Sequence, residues 1–377
     1  MACKKPYSPP AVTSPGSYLV VEGVINAGSD STIIKLSRTV SISSAITTKP
    51  ESSAILTVES DQNVIYPLTE TTNGVYVTVG LNLDNTRKYR LRIKTNNNNQ
   101  QYLSDFVEVK ATPPIDSVGF TIQNNAANTG ILVYVNTHDP ANNTRYYRWD
   151  YTEAWQFHAK YESNYYSTGD IIVPRLADQF TYYCFSNDIS STIILGSSAK
   201  LKQDVIYQNP VTSIESTSEK IETKYSIQIH QYALTGDAFT FWQNLKKNTE
   251  QLGSIFDAQP SQIRGNIHNI NNAAEPVIGY ISACTVQTKR VFISNNQLPS
   301  SWNPADPYNC QLDSELYCKG NPCQNQVALN LLPLGSSEIP VSEIPPGSHN
   351  PIGYMSASNY CTDCTLRGTK TQPAFWK

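Results

Sequence analysis

Between residues 145 and 161 aromatic side chains recur with period two: Tyr147, Trp149, Tyr151, Trp155, Phe157 and Tyr161, alternating with Arg148, Asp150, Thr152, Gln156, His158 and Lys160. Successive side chains of a β-strand point to opposite faces, so this pattern buries its rings only when the segment lies in a sheet with a core on one side. A helix of the same composition would scatter the rings around its circumference. Glu153 stands on the ring-bearing face.

The rest of the chain repeats that logic with shorter runs. Apolar segments of strand length occur at 18–25, 32–36, 54–58, 74–79, 89–93 and 106–109, each bounded by Gly, Asn, Asp or Pro. Tyr89, Leu91 and Ile93 alternate with Arg90, Arg92 and Lys94, the mark of a strand with one wet face. Asn73-Gly74 suits a tight hairpin. These strands predict an immunoglobulin- or transthyretin-like sandwich over 17–112. It ends at Thr112-Pro113-Pro114, because proline restrains its predecessor and cannot donate to a ladder. Residues 1–16 hold four prolines and no apolar period, which predicts an extended tether.

Residues 113–377 predict a larger β-rich domain, with strands at 118–123, 130–136, 145–161, 180–185, 192–200, 225–232, 263–270, 277–286 and 289–294. One helix is expected near 236–251, capped by Thr235, with Ala238, Phe241, Trp242, Leu245 and Thr249 as its stripe and Gly253 at its end. From 297 to 377 the chain is rich in Pro, Asn and Cys and reads as a loop-dominated tail. The fold class is thus mainly β, in two or three domains for 377 residues.

Composition narrows the functional classes. Charged residues make up only 16% and the net charge is −3, so no basic footprint for nucleic acid is present. No window approaches the 18 or so apolar residues of a membrane-spanning helix.

Five of the eight cysteines crowd into the last 68 residues. The spacings Cys318-x4-Cys323 and Cys361-x2-Cys364 admit a zinc site. The preferred reading is disulfides, because a loop-rich tail with little core gains most from cross-links, roughly 2–4 kcal/mol each. Candidates are Cys184, Cys310, Cys318, Cys323, Cys361 and Cys364, with their pairing open; Cys284, inside an apolar strand, is expected free and buried. A Cys361–Cys364 redox pair is disfavoured, since no βαβ unit surrounds it.

No linear catalytic motif, phosphate loop, dinucleotide fingerprint or metal-spaced histidine set occurs, and no cofactor or metal is expected. His138-Asp139-Pro140 reads as a turn. Glu153 is the carboxylate of interest: among rings its pKa would rise, fitting an acid or a ligand-orienting group. The plainer reading pairs it with an arginine at the sheet's end. Trp149, Tyr151, Glu153 and Trp155 together form a candidate platform for a peptide or glycan, against the alternative that the rings are simply core. A hydrolase using Glu153 with Asp150 or Asp257 requires the two carboxyls about 5–10 Å apart in an open cleft.

A family resemblance adds to this. The lone Cys3 in its tether, Tyr18-Leu-Val-Val-Glu-Gly23, Lys88-Tyr-Arg-Leu-Arg-Ile93, Tyr102-Leu-Ser-Asp-Phe106 and Thr112-Pro-Pro-Ile-Asp116 occur in order. They are followed by Arg145-Tyr-Tyr-Arg-Trp149, Phe241-Trp-Gln-Asn-Leu-Lys246, Gly253-Ser-Ile-Phe-Asp257, Val277-Ile-Gly-Tyr280, Lys289-Arg-Val-Phe-Ile293 and Cys361-Thr-Asp-Cys364 through Phe375-Trp376. Together they resemble a Bacteroidota lipoprotein family named as a domain of unknown function and commonly encoded beside TonB-dependent outer-membrane transporters. The resemblance implies acylation at Cys3 after signal cleavage, an outer-membrane location, and an accessory binding role to such a transporter. It leaves open an envelope-assembly role and a hydrolase. Lys4-Lys5-Pro6 stands where surface-displayed lipoproteins of this phylum often carry acidic residues, so the leaflet also stays open.

Overall fold

The computed structural model describes residues 17–41, 44, 48–96, 99–124, 129–250 and 264–377. Cys3, the tether, Gly253 and Asp257 lie outside these residues. The described chain is mainly β.

Its first core is enclosed by strands that pair in a closed circuit. The order is Lys88–Lys94, Ile55–Ser60, Ile65–Thr72, Val75–Thr78, Thr32–Arg38, Leu19–Asn26, Ala283–Cys284 and Val107–Lys110, which returns to Lys88–Lys94. Alternation does the packing: Tyr89, Leu91 and Ile93 are buried, as are Leu19, Val21 and Ile34 opposite them. Gly74 takes φ +73° at the hairpin expected there, and a Cβ would lie 2.5 Å from the Leu36 carbonyl oxygen.

One strand of the circuit departs from the expected 17–112 unit. Ala283–Cys284 comes from far down the chain and runs parallel to both Leu19–Asn26 and Val107–Lys110. Around it, Ile25 N donates to Ser282 O at 2.9 Å, Val21 N to Ile278 O at 2.8 Å, and the Asn266 amide clips both backbone groups of Ile281 at 2.9 Å. Residues 17–112 alone therefore leave the circuit open, and 264–284 complete it. Hydrophobic patterning registers that 277–286 is apolar but carries no address for its partner.

The second core lies between two sheets. A three-stranded sheet orders Ile115–Asn124, Thr129–Asp139 and Asp204–Glu215. The other orders Tyr183–Ile189, Tyr146–His158, Lys224–Ala233 and Val286–Ser294, with Ile194–Ser197 also paired to Tyr146–His158. Ile131, Val133 and Val135 meet Tyr147, Trp149, Phe157, Tyr225, Ile227 and Ile229 in one buried cluster. Asp204–Glu215 is a strand outside those expected: Pro210 and the positive φ of Gln208 (+47°) fall at its register shifts, which an edge strand accommodates. His138, expected in a turn, lies instead within Thr129–Asp139, and Asp139 makes the turn by accepting from the backbone of Ala141, Asn143 and Thr144.

The helix Gly236–Glu250 forms where the stripe places it, with Thr235 Oγ1 accepting from Ala238 N at 3.2 Å. It buries Ala238 and Phe241, while Thr249 is exposed. The tail is more regular than a loop: Asp313–Leu316, Gly353–Ser358 and Glu338–Ile344 form a sheet beside a π-helical turn, Val327–Leu331. Disulfides Cys184–Cys364 and Cys310–Cys361 tie this tail, the first to the five-stranded sheet, and Cys318–Cys323 closes a short loop. Cys361 and Cys364 do not pair with each other, and Cys284 is free and buried.

Candidate functional site

The strand Tyr146–His158 has two faces with different fates. Its odd face is sealed. Trp149 is 1% exposed and Trp155 8%, and their indole N–H groups donate to Gln231 Oε1 at 2.8 Å and Glu219 Oε1 at 3.4 Å. Tyr151 bridges to the facing sheet through Thr212 Oγ1 at 3.1 Å. These rings fill the interior, the alternative to a stacking platform for a peptide or glycan.

Glu153 is 4% exposed in the same interior. Tyr225 donates to its Oε2 at 2.5 Å, and Lys220, from the turn Glu219–Ile221, closes Oε1 while lying 5.0 Å from the Trp155 ring. The partner expected was an arginine; it is a lysine delivered by a segment remote in sequence. Burial, and then the adjacent Glu153 charge, push the Tyr225 pKa far above that of a free phenol. Asp150 lies three positions from Glu153 and hence on the opposite side of the sheet, so the two carboxyls do not flank one substrate. Asp257 lies outside the described residues.

The even face forms the outer surface of the five-stranded sheet. At one end Arg148 lies between the rings of Tyr232 (4.5 Å) and Trp242 (4.4 Å), the latter supplied by the helix. Beside it Asp150 accepts from Tyr232 at 3.2 Å, sits 2.8 Å from His230 Nδ1 and 3.4 Å from Arg148. Burial opposes the Asp150 charge, but His230, Arg148 and Tyr232 outweigh it and hold the pKa below the usual carboxylate range. At the other end the C-terminal segment crosses the sheet: Thr369 exchanges backbone hydrogen bonds with Phe185 at 2.8 and 2.9 Å, and Trp376 packs on Phe185 and Phe292.

Between these ends runs a strip of partly exposed polar groups. Register places Ile189, Thr152, Gln228 and Arg290 side by side on four successive strands. Arg290 Nη1 donates to Ser226 Oγ at 2.9 Å, its other terminal nitrogen to Gln228 Oε1, and its guanidinium carbon lies 3.6 Å from the centre of the Phe375 ring. No catalytic or ligand-binding motif marks His230 or Arg290 in the sequence, although Arg290 falls within the family-like segment Lys289-Arg-Val-Phe-Ile293. Their parity within alternating strands was the available signal, and it becomes meaningful only once pairing is known. Among the described residues no group of three or more His, Cys, Asp or Glu is placed to hold a metal ion, and the two cysteine pairs that admitted zinc are instead in disulfides.

The fold and this face define a multi-sheet β protein, cross-linked by three disulfides, with filled interiors and its free polar chemistry on an outer sheet surface. By sequence the chain belongs to the family described as a domain of unknown function, DUF4249, whose model matches residues 4–290. No curated protein matches it. Among solved structures it aligns with a "Biofilm associated protein - BSP domain" at 7% identity and a TM-score of 0.13, covering 74% of this chain and 59% of that one. The chain thus spans less than two thirds of that structure's length, and a likeness at this score carries no argument.

Proposed function

We propose that this protein is an outer-membrane lipoprotein, acylated at Cys3, that acts as a binding component beside a TonB-dependent transporter rather than by turnover. Two kinds of observation support this reading. The order of segments resembling the lipoprotein family supports the anchor and the partner, and three disulfides fit an oxidising compartment. Among the described residues no helix is long and apolar enough to cross a membrane, so attachment would fall to the lipid.

The observation that favours binding over catalysis is the state of Glu153. Both its oxygens are engaged, by Lys220 and Tyr225, within a filled sandwich, and Asp150 faces the other way. In this reading the circuit of strands around the first core is the tether-proximal unit, and the paired sheets beyond it present the binding face. A structural role in envelope assembly is a second reading, favoured by exposed apolar side chains on the C-terminal lobe and the hairpin docked to it: Ile171, Leu329, Leu334 and Ile352.

Co-purification from mildly solubilised membranes, cross-linked beforehand and compared with Cys3→Ala, tests the proposal. An outer-membrane barrel should be recovered with the acylated protein and depleted with the variant. Recovery without any barrel partner would overturn it.

A further inference from the structure

The outer face of the five-stranded sheet carries a guanidinium that no carboxylate among the described residues neutralises. Among the described residues Arg290, like Arg145 and Arg175, has no Asp or Glu within ion-pair distance, whereas Arg38, Arg90, Arg92, Arg148 and Arg367 each have at least one. Its plane is nonetheless fixed, by Ser226 Oγ at 2.9 Å, by Gln228, and by the Phe375 ring 3.6 Å away. Burial lowers its pKa, as befits a partly desolvated cation without a counter-ion. A guanidinium has five donors in a rigid fork suited to two carboxylate oxygens, and neutral partners here occupy only part of it.

The row that ends at Arg290 has a direction. Across four adjacent strands it runs Ile189, Thr152, Gln228, Arg290: an aliphatic side chain that is 62% exposed, a hydroxyl, an amide and a cation. Neighbouring strands lie about 4.8 Å apart, so the row is roughly 14 Å long, the span of about four extended residues. Hydroxyl and amide groups in its middle match the donors and acceptors of a peptide backbone. Sugar recognition would instead draw on free ring faces. Arg148 lies over Tyr232 and Trp242 at the border of the strip, and Arg290 itself lies against Phe375.

We propose that this row binds the C-terminal end of a short peptide, its terminal carboxylate on Arg290 and an apolar side chain about three residues earlier against Ile189. The inference rests on the reading of the chain as a binding protein and is independent of which transporter it serves.

The test is calorimetric titration of the full chain with the tetrapeptide acetyl-Leu-Ala-Ser-Ala as the free acid, as its C-terminal amide, and with Gly in place of Leu, alongside a galacturonate trimer. The acid should bind at least tenfold more tightly than the amide, and Arg290→Gln should erase that difference. Ile189→Ser, a change at an exposed position that leaves the fold intact, should weaken the Leu peptide severalfold and the Gly peptide not at all. Equal binding of acid and amide, absence of peptide binding at millimolar concentration, or tighter binding of the galacturonate trimer would each overturn the proposal. Retention of a barrel partner by Arg290→Gln in the co-purification above separates this failure from failure of the wider reading.

Discussion

Tyr225 donates a 2.5 Å hydrogen bond to Glu153 Oε2 from the neighbouring strand, inside a sandwich where Glu153 is 4% exposed. With Lys220 on the other oxygen, a carboxylate that by sequence alone resembles a catalytic acid becomes part of the framework.

Removing one member of this trio should therefore cost stability. Tyr225→Phe leaves a buried carboxylate oxygen short of a donor and should lower the unfolding free energy by about 1–3 kcal/mol. Glu153→Gln, which uncouples the Lys220 charge, should cost about 2–3 kcal/mol. Guanidinium titrations of both variants measure this, and an unchanged midpoint for Glu153→Gln would mean that the carboxylate is not held as described.

The cysteines make a second prediction. Non-reducing peptide mapping should recover Cys184–Cys364, Cys310–Cys361 and Cys318–Cys323, with Cys284 unlabelled until the protein is denatured. Burial pushes the Cys284 thiol up to about 12, so it is both inaccessible and protonated at pH 8. Replacing Cys184 and Cys364 together by Ala should cost about 2–5 kcal/mol.

Asp150 sets a pH dependence. Burial disfavours its charge, yet His230, Arg148 and Tyr232 hold its pKa below the unfolded value of about 3.9. A carboxyl depressed on folding stabilises the native state above its unfolded pKa and loses that contribution as pH falls through the folded one. The stability advantage of the native protein over Asp150→Asn should thus be full at neutral pH and shrink below about pH 4. Denaturation midpoints measured from pH 7 to pH 2.5 would show it, and a constant difference would contradict it.

The return of 264–284 into the first core predicts that residues 17–112, expressed alone, lack stable tertiary structure, because Leu19–Asn26 and Val107–Lys110 lose the strand that joins them. In the full chain Gly265→Ala should loosen the same junction, since a Cβ there would sit 1.6 Å from the Gly279 carbonyl oxygen. Limited proteolysis and amide exchange across 17–112 report both effects; a well-dispersed, protected fragment would refute the closed circuit.

What the sequence by itself determined is local. Period-two alternation specifies that 146–158 and 89–93 are strands and which of their side chains share a face, because a strand's geometry allows nothing else; the expected extension to 161 is not strand, and Tyr161 packs instead against the C-terminal lobe. The Thr235 cap and the spacing of Ala238 and Phe241 specify the helix for an equally local reason. Apolar surroundings mark Cys284 as the unpaired cysteine among the described residues.

Tertiary structure alone decided everything that depends on which segments meet. The apolar run 277–286 says that Ala283 and Cys284 are buried, not that they close a circuit begun more than 250 residues earlier, because pairing is chosen by the sum of contacts along both strands rather than by either one. The same holds for the cystine partners, for Lys220 reaching Glu153, and for the row from Ile189 to Arg290, whose members lie on four strands and share no motif. Register converts their parity into a surface, and register is a property of the assembled sheet.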